Sequence, residues 1–285
     1  MCFGIGPICK EIGIAPSAYH GNETRKPSAR DIRDKGLMVE IGRVYDENRR
    51  AYGARRIYRQ LLREEKKAAR RTVERLMRTL GTAGERRDSL KVTAKQDESL
   101  NRPTDLVKRD STATAPDRLW AAGLTYVATW PGFVYAAFII DAFSKMIVGW
   151  NVGRRMTTGL VLPALECALW ARCPDGGLIS HNDAGSQHLS IACTGRLAEA
   201  GIQASVGSVG DACDNALAET VNGLFKAEVV RKRAPWKNFE DVGYATLDWV
   251  EWSNNRRLMG PIGGIPPKEF EALYYEEHGV KAHAA

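Results

Sequence analysis

The run Leu119–Trp150, LWAAGLTYVATWPGFVYAAFIIDAFSKMIVGW, decides the fold class. In and just beyond it, Leu119–Thr129, Phe133–Asp141 and Ile147–Val152 are rich in β-branched, aromatic and small apolar residues. Pro131-Gly132 and Ala142–Met146 separate them, and turn residues between such runs predict an antiparallel meander. Downstream the period changes. Gly159–Ala171 predicts a helix, Leu178–His181 a short strand, Ser190–Ala200 a helix and Ile202–Val206 a strand. Beyond the loop Gly207–Cys213, a long helix is expected from about Asn215 to Val230, and another over Phe239–Asn254. A meander followed by alternating helix and strand gives a mixed α/β domain around a five-stranded sheet.

Upstream the texture is helical and basic. Ile32, Leu37, Ile41 and Val44 recur at helical intervals. Two further helical stretches, Ala54–Leu62 and Ala69–Leu80, flank the charged turn Arg63–Lys67. Leu61 and Leu62 of the first would face Val73, Leu76 and Met77 of the second. Helix, charged turn, helix in a basic context is the arrangement of a helix-turn-helix, whose second helix enters the major groove. A small helical bundle with exposed arginines fits the same pattern, because the turn lacks a glycine. Residues 81–116 are polar and read as a connecting stretch. The expected organisation is a basic helical region over residues 1–90, a linker over 91–115, and an α/β domain with a C-terminal helical extension over 116–285.

Charge follows that division. The chain has 285 residues and a net charge of +7. Residues 1–110 hold 26 Lys and Arg against 16 Asp and Glu, whereas residues 111–285 hold 15 against 18. A basic N-terminal part attracts polyanions, and phosphate backbones are the usual ones. The longest apolar run, Phe133–Ile140, is far short of the ~20 residues of a membrane span. Lys10 and Glu11 interrupt the N-terminus before a signal-peptide core could form. The six cysteines form no CxxC pair, which suits a reducing cytoplasm and excludes a disulfide scaffold. Near the N-terminus only Cys2, Cys9 and His20 could bind zinc, too few for a closed tetrahedral site. No G-x-S-x-G elbow and no Walker A loop is present.

Two carboxylates stand out by position. Asp183 follows a short apolar strand, where open α/β sheets place ligands. Glu219 lies on a helix opened by a Gly-rich loop, with Asp214 or Asn215 as its N-cap. Paired carboxylates can hold hard divalent cations, and two such ions ~3.5–4 Å apart can activate an attacking oxygen and stabilise a leaving one at phosphorus. Ordinary surface acids would show the same spacing.

The surrounding words narrow this. The opening stretch is followed in order by LISHNDAGSQHLS, SVGDACDNALAETVNGLFKAEVV, ATLDWVEWSNNRRL and IGGIPPKEFEALYY, and preceded by YGARRIYRQL and RRTVERLMRTLG. Together, over nearly the whole chain, they resemble the second-frame protein of bacterial insertion-sequence transposases of the IS-three family, within the retroviral-integrase-like DDE superfamily. The resemblance implies an RNase H-like integrase core preceded by a small all-α, helix-turn-helix-like region. It implies a polynucleotidyl transferase that cuts element ends and joins them to target DNA. Two Mg²⁺ or Mn²⁺ ions would be held by an Asp, Asp, Glu triad, whose second Asp falls on Asp183 and whose Glu falls on Glu219. It implies as partners the element ends, the target DNA, a first-frame protein and further copies of the chain, in a bacterial cytoplasm at the nucleoid and away from membranes.

The first Asp of that pattern belongs three residues before Tyr126, and the position holds Gly123. Glycine offers no side-chain ligand, so weak metal binding and reduced catalysis are expected; the alternative is an inactive DNA-binding competitor of transposition. Asp141 ends the neighbouring strand and is the nearest conceivable substitute, while Asp117 is some ~20 Å away along an extended strand. Lys226, two helical turns beyond Glu219, stands where integrase-like enzymes bring a lysine to the DNA end. Further phosphate-contact candidates are Arg231, Lys232, Arg256 and Arg257, with Arg70, Arg71 and Arg75 on the second helix of the N-terminal pair. Trp249, Trp252 and His181 are expected to pack rather than to bind.

Overall fold

The computed structural model describes residues 5–85, 103–107, 112–182, 191–207 and 215–279. Two short helices, α1 (Ile5–Glu11) and α2 (Pro16–Thr24), precede the N-terminal trio α3 (Ala29–Glu47), α4 (Ala54–Arg63) and α5 (Arg70–Thr79). Ser28 opens α3 with a capping box: its hydroxyl accepts from Asp31 N while the Asp31 carboxylate accepts from Ser28 N. Ile41, Val44, Ile57, Leu61, Val73, Leu76 and Met77 close the trio's interior. Leu62, expected to face inward, is exposed. Seen from Leu61 it is one residue on, about 100° round the helix, and points away.

The sheet consists of β1 (Leu119–Thr129), β2 (Gly132–Asp141), β3 (Ile147–Gly153), β4 (Ile179–Asn182) and β5 (Gln203–Val206), in the order β3-β2-β1-β4-β5. The first three strands form the expected antiparallel meander, and β4 and β5 add in parallel. Helix α6 (Thr158–Arg172) covers one face, burying Leu160, Ala164, Leu165 and Ala168 against Trp120, Ala137 and Ile139. It lies so close to β3 that a side chain at Gly149 would meet Ala164 O at 2.2 Å, so glycine is required there. Helix α7 (Ile191–Glu199) stands beside α6.

The opposite face is covered by α8 (Ala216–Phe225) and α10 (Phe239–Asn255). The helix expected from about Asn215 to Val230 runs on without a break: α8 passes into a π-helical turn, Lys226–Val230, and that into α9 (Arg231–Arg233). Phe138 of β2, Phe225 of α8 and Trp249 of α10 meet edge to face, with centroids 5.1–5.7 Å apart. The last helix is α11 (Pro267–His278).

The N-terminal trio and the α/β unit share one hydrophobic cluster. Tyr52, fully buried, donates its hydroxyl proton to Arg256 O (3.1 Å) and accepts from Leu258 N (2.8 Å). Trp252 donates to Asn48 Oδ1, and Arg49 and Arg63 pair with Asp248 and Glu269. Removing the Tyr52 hydroxyl strands a buried amide, which costs about 1–3 kcal/mol. Tyr52→Phe should therefore lower unfolding stability by that amount in urea while leaving one cooperative transition. An unchanged midpoint would show that the two units do not depend on this contact.

Candidate catalytic site at the open edge of β1

Strand β4 pairs with β1 only over Leu119–Ala122, the last pair being Ala122 with Asn182. Among the described residues, Gly123–Ala128 of β1 pair on the β2 side alone, before Thr129 bridges to Trp236, and the other edge there presents backbone groups that need partners. Helix α8 supplies them. Asn215 Nδ2 donates to Ala122 O at 2.8 Å and Asn222 Nδ2 donates to Leu124 O at 3.1 Å. Two asparagines seven residues apart lie on one helix face, and Glu219, four after the first and three before the second, shares it. The helical bond from Glu219 N to Asn215 O, 3.1 Å, fixes that register. Glu219, half-buried, is thus held on the side of α8 that faces β1 around Gly123. Asn215 does occupy the N-cap position, but its side chain makes no cap bond: Nδ2 donates to the strand, and Oδ1 has no partner among the described residues.

Position 123 is a closed gap. A Cβ added to Gly123 would lie 2.8 Å from Ala218 Cβ and 2.9 Å from Asn222 Nδ2. The helix has settled into the space a side chain would need. Around this point the buried oxygens without a partner among the described residues are neutral: Asn182 Oδ1, Asn215 Oδ1, Asn222 Oδ1 and Thr125 Oγ1. Among the described residues no three His, Cys, Asp or Glu side chains gather as metal ligands. A carboxylate-bridged pair of divalent ions does not fit this arrangement, since position 123 has neither the bridging oxygen nor room for it. Amide oxygens could join an ion's coordination sphere, but they do not restore the missing charge.

Asp183, the residue after Asn182, lies outside the described residues, as does Asp214. Asp141 is no substitute ligand. It is fully buried, and its carboxyl oxygens accept from Ser144 N, Ser144 Oγ and Asp117 N. Burial pushes its pKa up to about 6 against those hydrogen bonds. Asp117 pairs with Arg172 and accepts from Trp120 Nε1. His181 is buried with Nδ1 2.9 Å from Ser205 Oγ, and Trp249 and Trp252 are buried as expected.

The basic candidates divide. Lys226 extends along the open edge until its Nζ lies 4.8 Å from the centre of the Tyr126 ring, and partial burial lowers its pKa. Arg71, Arg231 and Arg256 are exposed, and Arg70, also exposed, pairs with Glu74 at 3.3 Å. Arg75 pairs with Asp34, and Lys232 pairs with Glu85 and donates to Arg49 O. Arg257 is corrected: it is fully buried in an ion pair with Glu228, whose carboxylate also accepts from Trp249 Nε1. A buried guanidinium needs such a partner, and it is unavailable to phosphate. The sequence signal missed was the N-x₃-E-x₂-N spacing of Asn215, Glu219 and Asn222, which places both amides beside the carboxylate.

Residues 113–212 and 200–267 each match an integrase core domain family, and residues 31–88 match an HTH-like domain family. The chain is therefore an integrase-core protein with an N-terminal HTH-like domain. It is 51% identical over 282 residues to the transposase for insertion sequence element IS629 of Shigella sonnei, covering 97% of this chain and 94% of that one. It is 49% identical to the putative transposase for insertion sequence element IS986/IS6110 of Mycobacterium tuberculosis, covering 93% and 97%. The chain belongs to the insertion-sequence transposases of the IS-three family. Among solved structures, a simian T-cell lymphotropic virus intasome aligns with a TM-score of 0.48 at 11% identity, over 81% of this chain and 74% of that one. The HTLV-2 integrase catalytic core domain in complex with magnesium aligns with a TM-score of 0.45 at 17% identity, over 56% and 99%.

The close approach at Gly123 has a measurable consequence. Overpacking a filled site costs about 1–3 kcal/mol, more than the ~0.5–1 kcal/mol gained by removing a strand glycine. Gly123→Ala should therefore be less stable than the unaltered chain in urea unfolding. Equal or greater stability would mean that α8 does not close on this position.

Proposed function

We propose that this chain is the DNA end-cutting and strand-joining subunit of an insertion sequence, with its catalytic power reduced at Gly123. The observation that carries this reading is the clamp of Asn215 and Asn222, which holds Glu219 against β1 beside a triad position that has no carboxylate and no space for one. Asp183 and Glu219 are assigned as the remaining acidic pair. Asp183 is the next residue in sequence after Asn182, which pairs with Ala122.

DNA is the substrate that the charge distribution favours. Arg231 and Arg256 are assigned to phosphate contacts, and Lys226 to the strand end nearest Glu219. Arg70 and Arg71, at the start of α5, would meet phosphates of the bound duplex. Lys67 lines a cleft of about 620 Å³ beside them and adds positive charge to that side, while Lys66 and Arg33 on the same rim are offset by Glu40 and Asp34. Arg75 and Lys232 would contribute less, because Asp34 and Glu85 already offset their charge. Element ends and target DNA are the proposed substrates, and a first-frame protein and further copies of the chain the proposed partners. Mg²⁺ or Mn²⁺ is the proposed cofactor, bound more weakly than by a full triad. No helix among the described residues is long and apolar enough to cross a membrane, which is consistent with work at the nucleoid.

A second reading, a catalytically inactive protein that competes for element ends, is favoured by the same closed gap. One assay separates them: Mn²⁺-dependent cleavage and joining of DNA carrying the element's own ends. The unaltered chain, Gly123→Asp, and Gly123→Asp combined with Glu219→Gln would be compared. Activity should rise in Gly123→Asp by at least about 100-fold, the scale of losing one preorganised electrostatic group, and vanish again in the double variant. Full activity in the unaltered chain would contradict the reduced-catalysis reading. Specific binding of ends without cleavage by the unaltered chain would favour the competitor.

A further inference from the structure

The turn joining β1 to β2 carries aromatic side chains that the core does not use. Trp130 is 69% exposed, Phe133 56% and Tyr126 39%. Tyr126 and Phe133 meet edge to face with centroids 5.5 Å apart, and the Lys226 ammonium lies over the Tyr126 ring. A cross-strand aromatic contact stabilises a hairpin, but it does not require rings to remain in water.

Nor is the turn left loose. Thr129 Oγ1 donates to Gly132 O at 2.8 Å, and Trp130 N donates to Trp236 O at 3.0 Å. Trp236 is itself buried and donates its Nε1 proton to Val230 O. The turn is thereby fastened to the segment that carries Arg231, Arg233 and Lys237.

Charge points the same way. Residues 118–140 contain no Asp or Glu, and neither do residues 229–239, which hold four Lys and Arg. Arg233 is partly offset by Asp248, 3.7 Å away, whereas Lys226 lies directly on the aromatic cluster. Exposed aromatic faces beside that ammonium suit an unpaired nucleotide: its base stacks and its phosphate meets the ammonium. Tyr126 is three residues beyond Gly123, ~10 Å along the strand, or about three stacked base steps at ~3.4 Å each.

We propose that the β1–β2 turn is a stacking platform for unpaired bases at the DNA end, with Tyr126, Phe133 and Trp130 taking the bases and Lys226 the adjoining phosphate. The inference rests on the DNA reading given above and adds to it a preference for opened over fully paired ends. Opening an end costs pairing energy that a bare cleft could not return, and a platform returns part of it by stacking.

The test uses the full chain without added divalent ion, so that binding is read apart from cleavage. Fluorescence anisotropy would compare a labelled blunt duplex with the same duplex carrying three unpaired terminal nucleotides. The unaltered chain should bind the opened end about 10-fold more tightly, within the range for one stacked base. Trp130→Ala with Phe133→Ala should abolish that preference and keep the affinity for blunt duplex. Trp130→Ala alone, at an exposed turn position, should weaken it and leave thermal unfolding unchanged. Equal binding of the two DNAs by the unaltered chain would overturn the platform while sparing the DNA reading. A preference that survives the double variant would overturn it too, as would a folded double variant with altered self-association and an intact preference. Failure of the unaltered chain to bind either DNA would overturn the DNA reading, and the platform with it.

Discussion

The structure depends on how the unpaired edge of β1 is satisfied. Beyond Ala122 the strand loses β4 as a neighbour, and an open edge at the centre of a covered sheet would leave buried carbonyls unpaired. Two side-chain amides from α8 resolve this, and in doing so they fix the helix's position and rotation against the strand. Glu219 is carried by that docking, on the helix face that the two asparagines share. The same docking carries the chain onward to Lys226, where the helix widens into a π-turn and the lysine reaches Tyr126. Extra residues inserted into helical turns often occur at functional sites, and here the wider turn separates the Glu219 face from the basic segment beyond.

Gly123 changes the meaning of that docking. A strand residue with a side chain would hold α8 at a distance, whereas glycine lets Ala218 and Asn222 approach until no Cβ would fit. Position 123 therefore offers neither a carboxylate nor ready space for one. Replacing the missing charge requires α8 to withdraw by some tenths of an ångström, against the hydrogen bonds that dock it.

Much of the architecture was legible in the sequence because it rests on period and punctuation. Pro131-Gly132 marks the first hairpin, the β-rich composition of Leu119–Thr129 and Phe133–Asp141 marks the strands, and the 3.6-residue period marks α3 to α6. Contacts between distant polar residues were not legible. Arg256 and Arg257 are neighbours with equal claims to phosphate, yet one is exposed and the other buried on Glu228, and no local pattern distinguishes them. Asp141 looked available because it ends a strand next to the gap, whereas the backbone of its own turn takes up its carboxylate. Asn215 looked like a helix cap, since Asn is common there, but the unmet carbonyl of a strand in another part of the fold claimed its amide. Tyr52, which fastens the helical trio to the α/β unit, carried no signal beyond an aromatic between two helices.

With no carboxylate at position 123, a bridged pair of divalent ions is not expected at this site. Titration of the unaltered chain with Mn²⁺, followed by electron paramagnetic resonance of the bound ion, tests it without reliance on turnover. At most one weakly held ion, with no spin–spin broadening from a close neighbour, is the result expected. Two tightly bound, magnetically coupled ions would contradict the account and would require a bridging oxygen from somewhere other than position 123.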